Sequence, residues 1–147
     1  MDEKTPSVLL TTPSWLLTQT AMHAQRIVSE AFAAEGARGY HVRLLATLME
    51  FGPSSQAALG RHTGIDRSDI VATVNELAEA GYVERSPDPT DARRNIITLT
   101  PAGQARHKQL GALVATIQDQ IFAPLTPTER NTLTALLTKL LTHHTSV

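Results

Sequence analysis

The sequence predicts a mainly α-helical fold with one small β-hairpin. Apolar residues recur at spacings of three and four along most of the 147 residues, which is the period of one helix face. Glycine and proline residues separate these periodic segments. Only between residues 82 and 99 does the period change to the alternation of a strand, on both sides of a turn that holds two prolines.

Two helices are predicted in the first third of the chain, after a loose lead-in that reaches Ser14. The first has about 20 residues and ends near Gly36. The second ends at Gly52-Pro53, because neither residue continues a helix well. Their apolar faces consist of Trp15, Leu17, Ala21, Ala24, Val28, Ala31 and Phe32 in the first helix, and of Val42, Leu44, Leu45, Leu48 and Met49 in the second.

The segment from Gln56 to Asn75 has the pattern of a helix-turn-helix. Ser54 or Ser55 can cap its first helix and Asp66 its second, and Gly64 provides the sharp turn between them. Gly60 is predicted to let the two helices approach each other. In DNA-binding proteins of this type, the first turns of the second helix enter the major groove. A plain helical hairpin has the same pattern, so this motif alone leaves DNA binding open.

A hairpin follows these helices. Residues 82–85 and 95–99 are predicted strands, and Pro87–Asp91 is the predicted turn, since prolines fix the backbone and remove hydrogen-bond donors. Arg93 and Arg94 lie near its tip. A hairpin that follows a recognition helix can reach the minor groove of DNA, where arginine is favoured. Taken alone, the two arginines suit a solvated turn as well.

Two further helices are predicted at the end of the chain. Thr100-Pro101 begins the first, and Thr126-Pro127-Thr128-Glu129 is a capping box with proline at the first helical position. Long apolar helices therefore lie at both ends of a short chain. Because one copy has little core in which to bury all their apolar faces, part of this surface is predicted to face a second copy.

The composition is that of a globular protein. Hydrophobic residues make up 41% of the chain and charged residues 18%, which excludes a disordered protein or a fibre. The absence of cysteine excludes disulfides, thiolate metal sites and cysteine nucleophiles. Met1–Lys4 shows no start of a secretory signal, and no apolar run approaches the roughly 20 residues that cross a bilayer. We therefore expect a cytoplasmic protein with no membrane contact.

The stretch Gly81–Gly103, GYVERSPDPTDARRNIITLTPAG, resembles the wing signature of the MarR family (multiple antibiotic resistance regulators). The helix-turn-helix before it and the pairs of helices on either side agree with that family in order and length. The resemblance covers about residues 14–143. It implies a winged helix-turn-helix homodimer that binds a pseudo-palindromic operator in double-stranded DNA, usually as a repressor of transcription.

The resemblance also implies a separate role for each of three parts of the chain. Residues 14–51 would form N-terminal helices for dimerisation and linkage, 52–100 the DNA-binding lobe, and 101–147 the C-terminal dimerisation helices. In the family, an aspartate at the position of Asp91 orients nearby arginines, and the arginine that matches Arg93 enters the minor groove. The DNA contacts implied in this way are Ser54, Ser55, Gln56, Arg67, Ser68, Asp69, Ala72, Asn75, Arg93 and Arg94.

The sequence departs from the family pattern at three positions of the lobe. Ala72 and Ala92 stand where many members carry arginine, and Asp69 puts a carboxylate near the DNA. Residues 52–100 hold five arginines against four aspartates and three glutamates, a net charge of −2. We therefore expect the carboxylates to face away from the phosphates or to pair with arginine.

Family members often bind anionic aromatic or phenolic compounds where the dimerisation helices meet the lobe. The resemblance thus implies a small aromatic or anionic ligand, although the spacing of Trp15 and Met22 also suits a core or a dimer interface. The candidate wall is Trp15, Met22, His23, Arg26, Tyr40 and His41. Some members bind zinc, for which His23, His41 and His107 are candidates. Without cysteine or a short-spaced histidine–carboxylate pair among them, we expect no metal site and no cofactor.

No motif in the sequence predicts an enzyme. It has no glycine-rich phosphate loop and no local signature of a Ser-His-Asp site. The main hypothesis is therefore a repressor that a small molecule releases from DNA. Two alternatives stay open: a winged-helix protein-interaction module without DNA binding, which the negative lobe would suit, and a zinc-responsive regulator of the same family.

Overall fold

The computed structural model describes residues 4–146. The start of the chain at Met1–Glu3 and the end of the predicted C-terminal segment at Val147 lie outside the described residues. The predicted class, mainly helical with a small sheet, is confirmed. In chain order the elements are α1 (Ser7–Leu10), α2 (Pro13–Ala34), α3 (Gly39–Phe51), β1 (Ser54–Ser55), α4 (Gln56–Thr63), α5 (Arg67–Glu79), β2 (Val83–Asp88), β3 (Asp91–Leu99), α6 (Pro101–Ile121) and α7 (Pro127–Thr145).

The predicted loose lead-in is wrong, because a short helix, α1, forms within it. The hydroxyl group of Thr12 donates a hydrogen bond of 2.7 Å to the carbonyl of Val8, and its backbone N–H donates to Leu9. These bonds satisfy the last carbonyls of α1. Helix α2 then begins at Pro13, where proline suits the first helical position.

The core lies around α3. Leu44, Leu45 and Leu48 are buried there between the helix-turn-helix, the sheet and α6. The other buried apolar side chains complete one continuous core and come from almost every element: Phe32, Ala37, Leu59, Ile65, Ile70, Val74, Leu77, Val83, Ile97, Leu110 and Ile117. Because α3 contacts so many elements, it determines where the candidate site residues lie.

The predicted helix-turn-helix is present, with two local corrections. Ser55 caps α4 by accepting a hydrogen bond from the backbone N–H of Ala58, and Gly64 has the left-handed φ of +69° that the turn requires. Asp66 stands before α5, but its side chain makes no capping bond. Gly60 is not needed for close approach, since an added Cβ would lie 3.6 Å from the carbonyl of Ile65, an ordinary contact.

The hairpin is longer than predicted and is part of a three-stranded antiparallel sheet in the order β1-β3-β2. Strand β2 continues to Asp88 and β3 begins at Asp91, so the predicted five-residue turn is wrong and only residues 89–90 connect the strands. Pro87 is tolerated because β2 is an edge strand. Strand β1 pairs Ser54 with Ile97, which joins the hairpin to the start of α4.

The C-terminal helices begin as predicted. Thr100 accepts a hydrogen bond from the N–H of Gly103, and Thr126 and Glu129 form the reciprocal capping box. Whereas α6 packs on α2 and α3, α7 contains no buried residue. No helix in residues 4–146 combines the length and the hydrophobicity of a transmembrane segment.

Gly103 is the glycine that packing requires. A Cβ at this position would overlap the carbonyl oxygen of Tyr82 and would lie 2.9 Å from the side chain of Leu99. We expect Gly103→Ala to lower the free energy of unfolding by about 1–3 kcal/mol, measured by urea denaturation. Gly111→Ala is the control on the same helix, where no atom lies within 4 Å, and it should raise stability by roughly 0.5–1 kcal/mol. Equal effects would contradict this packing argument.

Candidate nucleic-acid interface

Helix α5 buries one face and exposes the other. Ile70, Val74 and Leu77 are buried and hold the helix against the core. Four of the residues predicted to contact DNA are exposed on this helix, whereas Asp69 is half-buried. The exposed ones are Arg67, Ser68, Ala72 and Asn75. The helix therefore has a free surface that begins at its first turn, as entry into a groove requires.

Asp91 lies next to the two arginines of the hairpin tip. Its Oδ1 accepts hydrogen bonds from the Arg93 backbone N–H at 3.0 Å and from the Arg93 Nε–H at 3.2 Å. The Nε of Arg94 lies 3.7 Å from Asp91 Oδ2. The hydrogen bond from the Arg93 side chain contributes most to holding the pKa of Asp91 below its usual value. Since the Arg93 side chain remains 91% exposed, it is oriented by Asp91 while still open to a partner.

Asp88 stabilises the turn beneath these arginines. Its Oδ1 accepts hydrogen bonds from the backbone N–H of Thr90 at 2.9 Å and from the Thr90 hydroxyl at 2.8 Å. The backbone N–H is the largest of the causes that lower the pKa of Asp88. Arg94 Nε lies 3.9 Å from Asp88 Oδ2. The turn is thus fixed by carboxylate hydrogen bonds, which limits the positions open to the arginines.

A groove of about 630 Å³ lies between α4, α5 and β3. Arg61, Arg67, Arg93 and Arg94 line it together with Ser55, and the lining among the described residues includes no carboxylate. The remaining lining residues are Gln56, Ala57, Gly60, Val71 and Asn95. The groove, which we call the arginine groove, brings together five predicted contacts: Ser55, Gln56, Arg67, Arg93 and Arg94. Four guanidinium groups at one concave surface suit phosphates and base edges.

Arg61 was missed by the sequence analysis. It lies in the last turn of α4 and is exposed beside Arg67 in the lining of the groove. The signal was present as a basic residue one turn beyond Ala57, on the first helix of the helix-turn-helix. The pattern of the sequence pointed instead to the start of that helix, where backbone N–H groups can bind phosphate.

Five predicted contacts do not line the arginine groove: Ser54, Ser68, Asp69, Ala72 and Asn75. The side chains of two of them, Ser54 and Asn75, have partners within the fold. Ser54 is buried, and its hydroxyl donates to the carbonyl of Gly52 at 2.9 Å, so its side chain is not available to DNA. Ser54 is buried because it lies in β1, where it pairs with Ile97 of β3. Asn75 is exposed, but its Oδ1 accepts a hydrogen bond from Arg85 of β2. This contact joins α5 to the hairpin.

The carboxylates of the lobe are kept out of the arginine groove. Asp91 binds Arg93 and Asp88 binds Thr90, as described above. Glu76 binds Arg38 and His41, with the shortest distances at 2.8 Å and 2.5 Å. None of the seven carboxylates between residues 52 and 100 lines the groove. A lobe with a net charge of −2 can therefore present a positive surface on this side.

Comparisons with known proteins show the family of the chain. A family model described as the MarR family matches residues 37–94, which contain the helix-turn-helix and most of the hairpin. A "probable transcriptional regulator" from Pseudomonas aeruginosa has a solved structure that is 33% identical, with a TM-score of 0.79 over 90% of this chain and 98% of that chain. The chain belongs to the MarR family. In this family's terms, the hairpin β2–β3 is the wing and α5 is the recognition helix.

Two other relatives are informative. The HTH-type transcriptional repressor NicR of Pseudomonas putida is 34% identical over 97 residues, 66% of this chain and 61% of that protein. The PcaV transcriptional regulator of Streptomyces coelicolor, solved with its natural ligand, is 26% identical, with a TM-score of 0.75 over 90% of this chain and 94% of that chain. The chain spans about half the length of the curated relatives it matches. The MarR family and these relatives are transcriptional regulators, not enzymes, which agrees with the missing catalytic motifs.

The residues expected to hold a ligand in a MarR-family protein lie on two helices and have different partners. On α2, Met22 is 60% exposed, and the His23 ring lies 3.3 Å from Arg26. On α3, Tyr40 faces the Arg43 guanidinium, while His41 contacts Glu76. Trp15 is half-buried near the start of α2. The ligand wall stays a prediction.

The histidines considered for zinc do not form a cluster. Within residues 4–146, no group of three or more histidine, cysteine, aspartate or glutamate side chains is placed to hold a metal ion. His41 instead contacts Glu76, and His23 contacts Arg26. His107 is half-buried on α6.

The wing ion pair gives a testable pH effect. We expect Arg93→Ala to raise the pKa of Asp91 toward the usual aspartate value, because the largest cause of its lowering is removed. Carboxyl carbon chemical shifts followed through an acid titration measure this change. The pKa of Asp91 is lower in the folded chain than its usual value. The contacts of its carboxylate therefore stabilise the fold above about pH 4, and this stabilisation is lost as the pH falls through the folded pKa.

Arg94→Ala is the matched control for this titration. Its guanidinium lies 3.7 Å from Asp91 without a hydrogen bond, so the rise in the Asp91 pKa should be smaller. A larger rise in Arg94→Ala than in Arg93→Ala would contradict the assignment of Arg93 as the main partner.

Proposed function

We propose that this MarR-family chain is a homodimeric regulator of transcription that binds a pseudo-palindromic operator in double-stranded DNA. The observation that carries the proposal is the arginine groove, where Arg61, Arg67, Arg93 and Arg94 meet Ser55. In this proposal the first turns of α5 enter the major groove, with Arg67 and Ser68 at the base edges. Arg93, held by Asp91, enters the adjacent minor groove, where narrow A·T tracts favour arginine.

The same proposal includes a homodimer. Helix α7 has 19 residues and none of them is buried, and it exposes Leu136, Leu137, Leu140 and Leu141. On α2, Leu16 and Leu17 are also exposed. Apolar surface of this extent is unusual on a monomer. Two copies joined through these helices would place their recognition helices about 34–36 Å apart, one turn of DNA.

We infer repression as the outcome of binding and the cytoplasm as its location, where a bacterial-type regulator meets its DNA. The support is the similarity to NicR, which is named as a repressor. A small aromatic or anionic ligand would release the operator by changing the separation of the recognition helices. The similarity to PcaV, solved with its natural ligand, supports a ligand. Our candidate site for it remains the predicted wall of Trp15, Met22, His23, Arg26, Tyr40 and His41.

A second candidate function is a protein-interaction module that has lost DNA binding. The net charge of −2 in the lobe favours it, as do Ala72 and Ala92 at positions where arginine is common in the family. The two functions differ in salt dependence. Binding through phosphates weakens steeply as salt rises, because counterions are released from the DNA.

The deciding experiment is selection of random duplex DNA by the purified protein, followed by titration of the selected duplexes across salt concentrations. A regulator should enrich a palindrome of about 16–22 base pairs, since its two half-sites lie one turn apart. No enrichment, with and without added zinc, would favour the interaction module.

Arg93→Ala and Arg67→Ala test the two parts of the DNA contact. Arg93→Ala should weaken binding to every operator, and most to those with an A·T-rich flank. Arg67→Ala should cost about 1–3 kcal/mol of binding free energy on the selected operator if it reads a base. Fluorescence anisotropy titrations measure both losses.

Lys108→Ala is the control for these variants, because it removes one exposed positive charge on α6, away from the arginine groove. An unchanged dissociation constant in Arg93→Ala would contradict the placement of the wing in the minor groove. An equal loss on selected and random DNA in Arg67→Ala would make this residue a phosphate contact.

Leu141→Asp tests the homodimer. The side chain is 65% exposed within one copy, so the change should leave the fold of the lobe intact. It should raise the dimer dissociation constant strongly, because a carboxylate would be buried at the interface. Sedimentation velocity across protein concentrations measures this, with Thr142→Asp as the neighbouring control. A wild type that stays monomeric at every concentration would contradict the dimer.

A further inference from the structure

Three side chains meet where α3 begins beside the recognition helix. The Arg38 guanidinium donates to both carboxylate oxygens of Glu76, each at 2.8 Å. The Nε2 of His41 lies 2.5 Å from Glu76 Oε2. Arg38 and His41 are 38 and 35 residues away from Glu76 in sequence, so this contact joins separate elements. We call these three residues the junction cluster.

The hydrogen bonds determine how His41 faces Glu76. The backbone N–H of Arg38 donates to His41 Nδ1 at 3.3 Å. With Nδ1 acting as an acceptor, the ring proton of neutral histidine lies on Nε2 and points to the carboxylate. The hydrogen bond with His41 is the largest cause of the lowered pKa of Glu76. Glu76 therefore carries its charge at neutral pH, with a donor on each side.

The loop between α2 and α3 connects the cluster to the long helices. Arg106 of α6 donates to the carbonyl of Glu35 in this loop at 2.5 Å. The Arg106 guanidinium also lies 5.6 Å from the ring centre of Tyr82, the residue that follows the turn after α5. The same short loop thus contacts α6 through Glu35 and α5 through Arg38.

We propose that Glu76 is a positioning residue, which Arg38 and His41 hold so that the recognition helix keeps one angle to α2 and α6. This inference rests on the proposed DNA-binding function, because in a dimer that angle determines the separation of the two recognition helices. Glu76 does not line the arginine groove and is not a DNA contact in this proposal. It acts through the orientation of α5.

Two explanations of Glu76 predict opposite results for Glu76→Ala. If Glu76 only repelled phosphates, its removal would strengthen binding to all DNA. If it positions α5, its removal weakens binding to the operator with the correct half-site spacing and leaves random DNA unchanged. The direction of the change therefore separates the two explanations.

The test compares Glu76→Ala with Glu79→Ala. Both remove one carboxylate from α5, but Glu79 is exposed and lies outside the junction cluster. We expect Glu76→Ala to weaken binding to the selected palindrome by roughly 2- to 30-fold, the range that residues outside a site commonly give. It should also accept operators with one base pair more or less between the half-sites. Glu79→Ala should show neither effect.

Arg38→Ala and the double variant that combines it with Glu76→Ala complete a double-mutant cycle. Because Arg38 acts through Glu76, the double variant should lose no more affinity than Glu76→Ala alone, while Arg38→Ala, which keeps the His41 contact, should lose less. Glu76→Gln keeps an oxygen that can accept from His41 and provides a folded variant if Glu76→Ala is unstable. Additive losses, or a gain of affinity for all DNA in Glu76→Ala, would overturn the proposal.

A distance measurement without DNA separates this proposal from the proposed function. The chain contains no cysteine, so Gln25→Cys on α2 and Ala72→Cys on α5 can carry spin labels at two exposed positions. The electron–electron distance distribution should broaden or shift in Glu76→Ala and stay unchanged in Glu79→Ala. An unchanged distribution in Glu76→Ala would overturn the positioning role. If the wild type selects no DNA while the distances still change, the proposed function fails and the positioning role stands.

Discussion

The burial of one side of α3 is the constraint on which the rest of the lobe depends. Leu44, Leu45 and Leu48 are within 3% of complete burial, and α2, α4, α5, α6 and β3 all contact this helix. Truncation of such a leucine commonly costs about 2–5 kcal/mol. The recognition helix and the base of the wing therefore pack on the same helix, which positions them relative to each other.

The electrostatics of the lobe follow from pairing and not from net charge. A chain with a net charge of −1 presents four arginines in one groove because none of the carboxylates of the lobe lines that groove. Asp91 and Glu76 bind arginine, and Asp88 binds Thr90. The wing carboxylates also orient the guanidinium groups of Arg93 and Arg94. Some of the acidic side chains thus help to position the positive charges of the groove.

The sequence predicted those features that neighbouring residues determine. Thr126 with Glu129, Thr100 with Gly103, and Gly64 all act within a few residues, so these two caps and this turn were predictable. Contacts between residues that are distant in the sequence were not predictable. Strand β1 has two residues and exists only because Ser54 and Ser55 pair with Ile97 and Ile96 about 40 residues later, which buries Ser54. The contact of Glu76 with Arg38 and the place of Arg61 in the groove likewise depend on packing between elements, which no periodicity records.

The exposed leucines of α7 have a consequence for how the order of this helix depends on protein concentration. Most helical stability in proteins comes from the packing of an apolar face, and no residue of α7 is fully buried within its own chain. In the proposed dimer, the order of this helix then comes from the partner, so it rises with protomer concentration by mass action. A cell with few copies would hold a chain with a frayed C-terminal helix, and a cell with many copies would hold the complete fold. In such a dimer, the expression level of the regulator would contribute to its own stability.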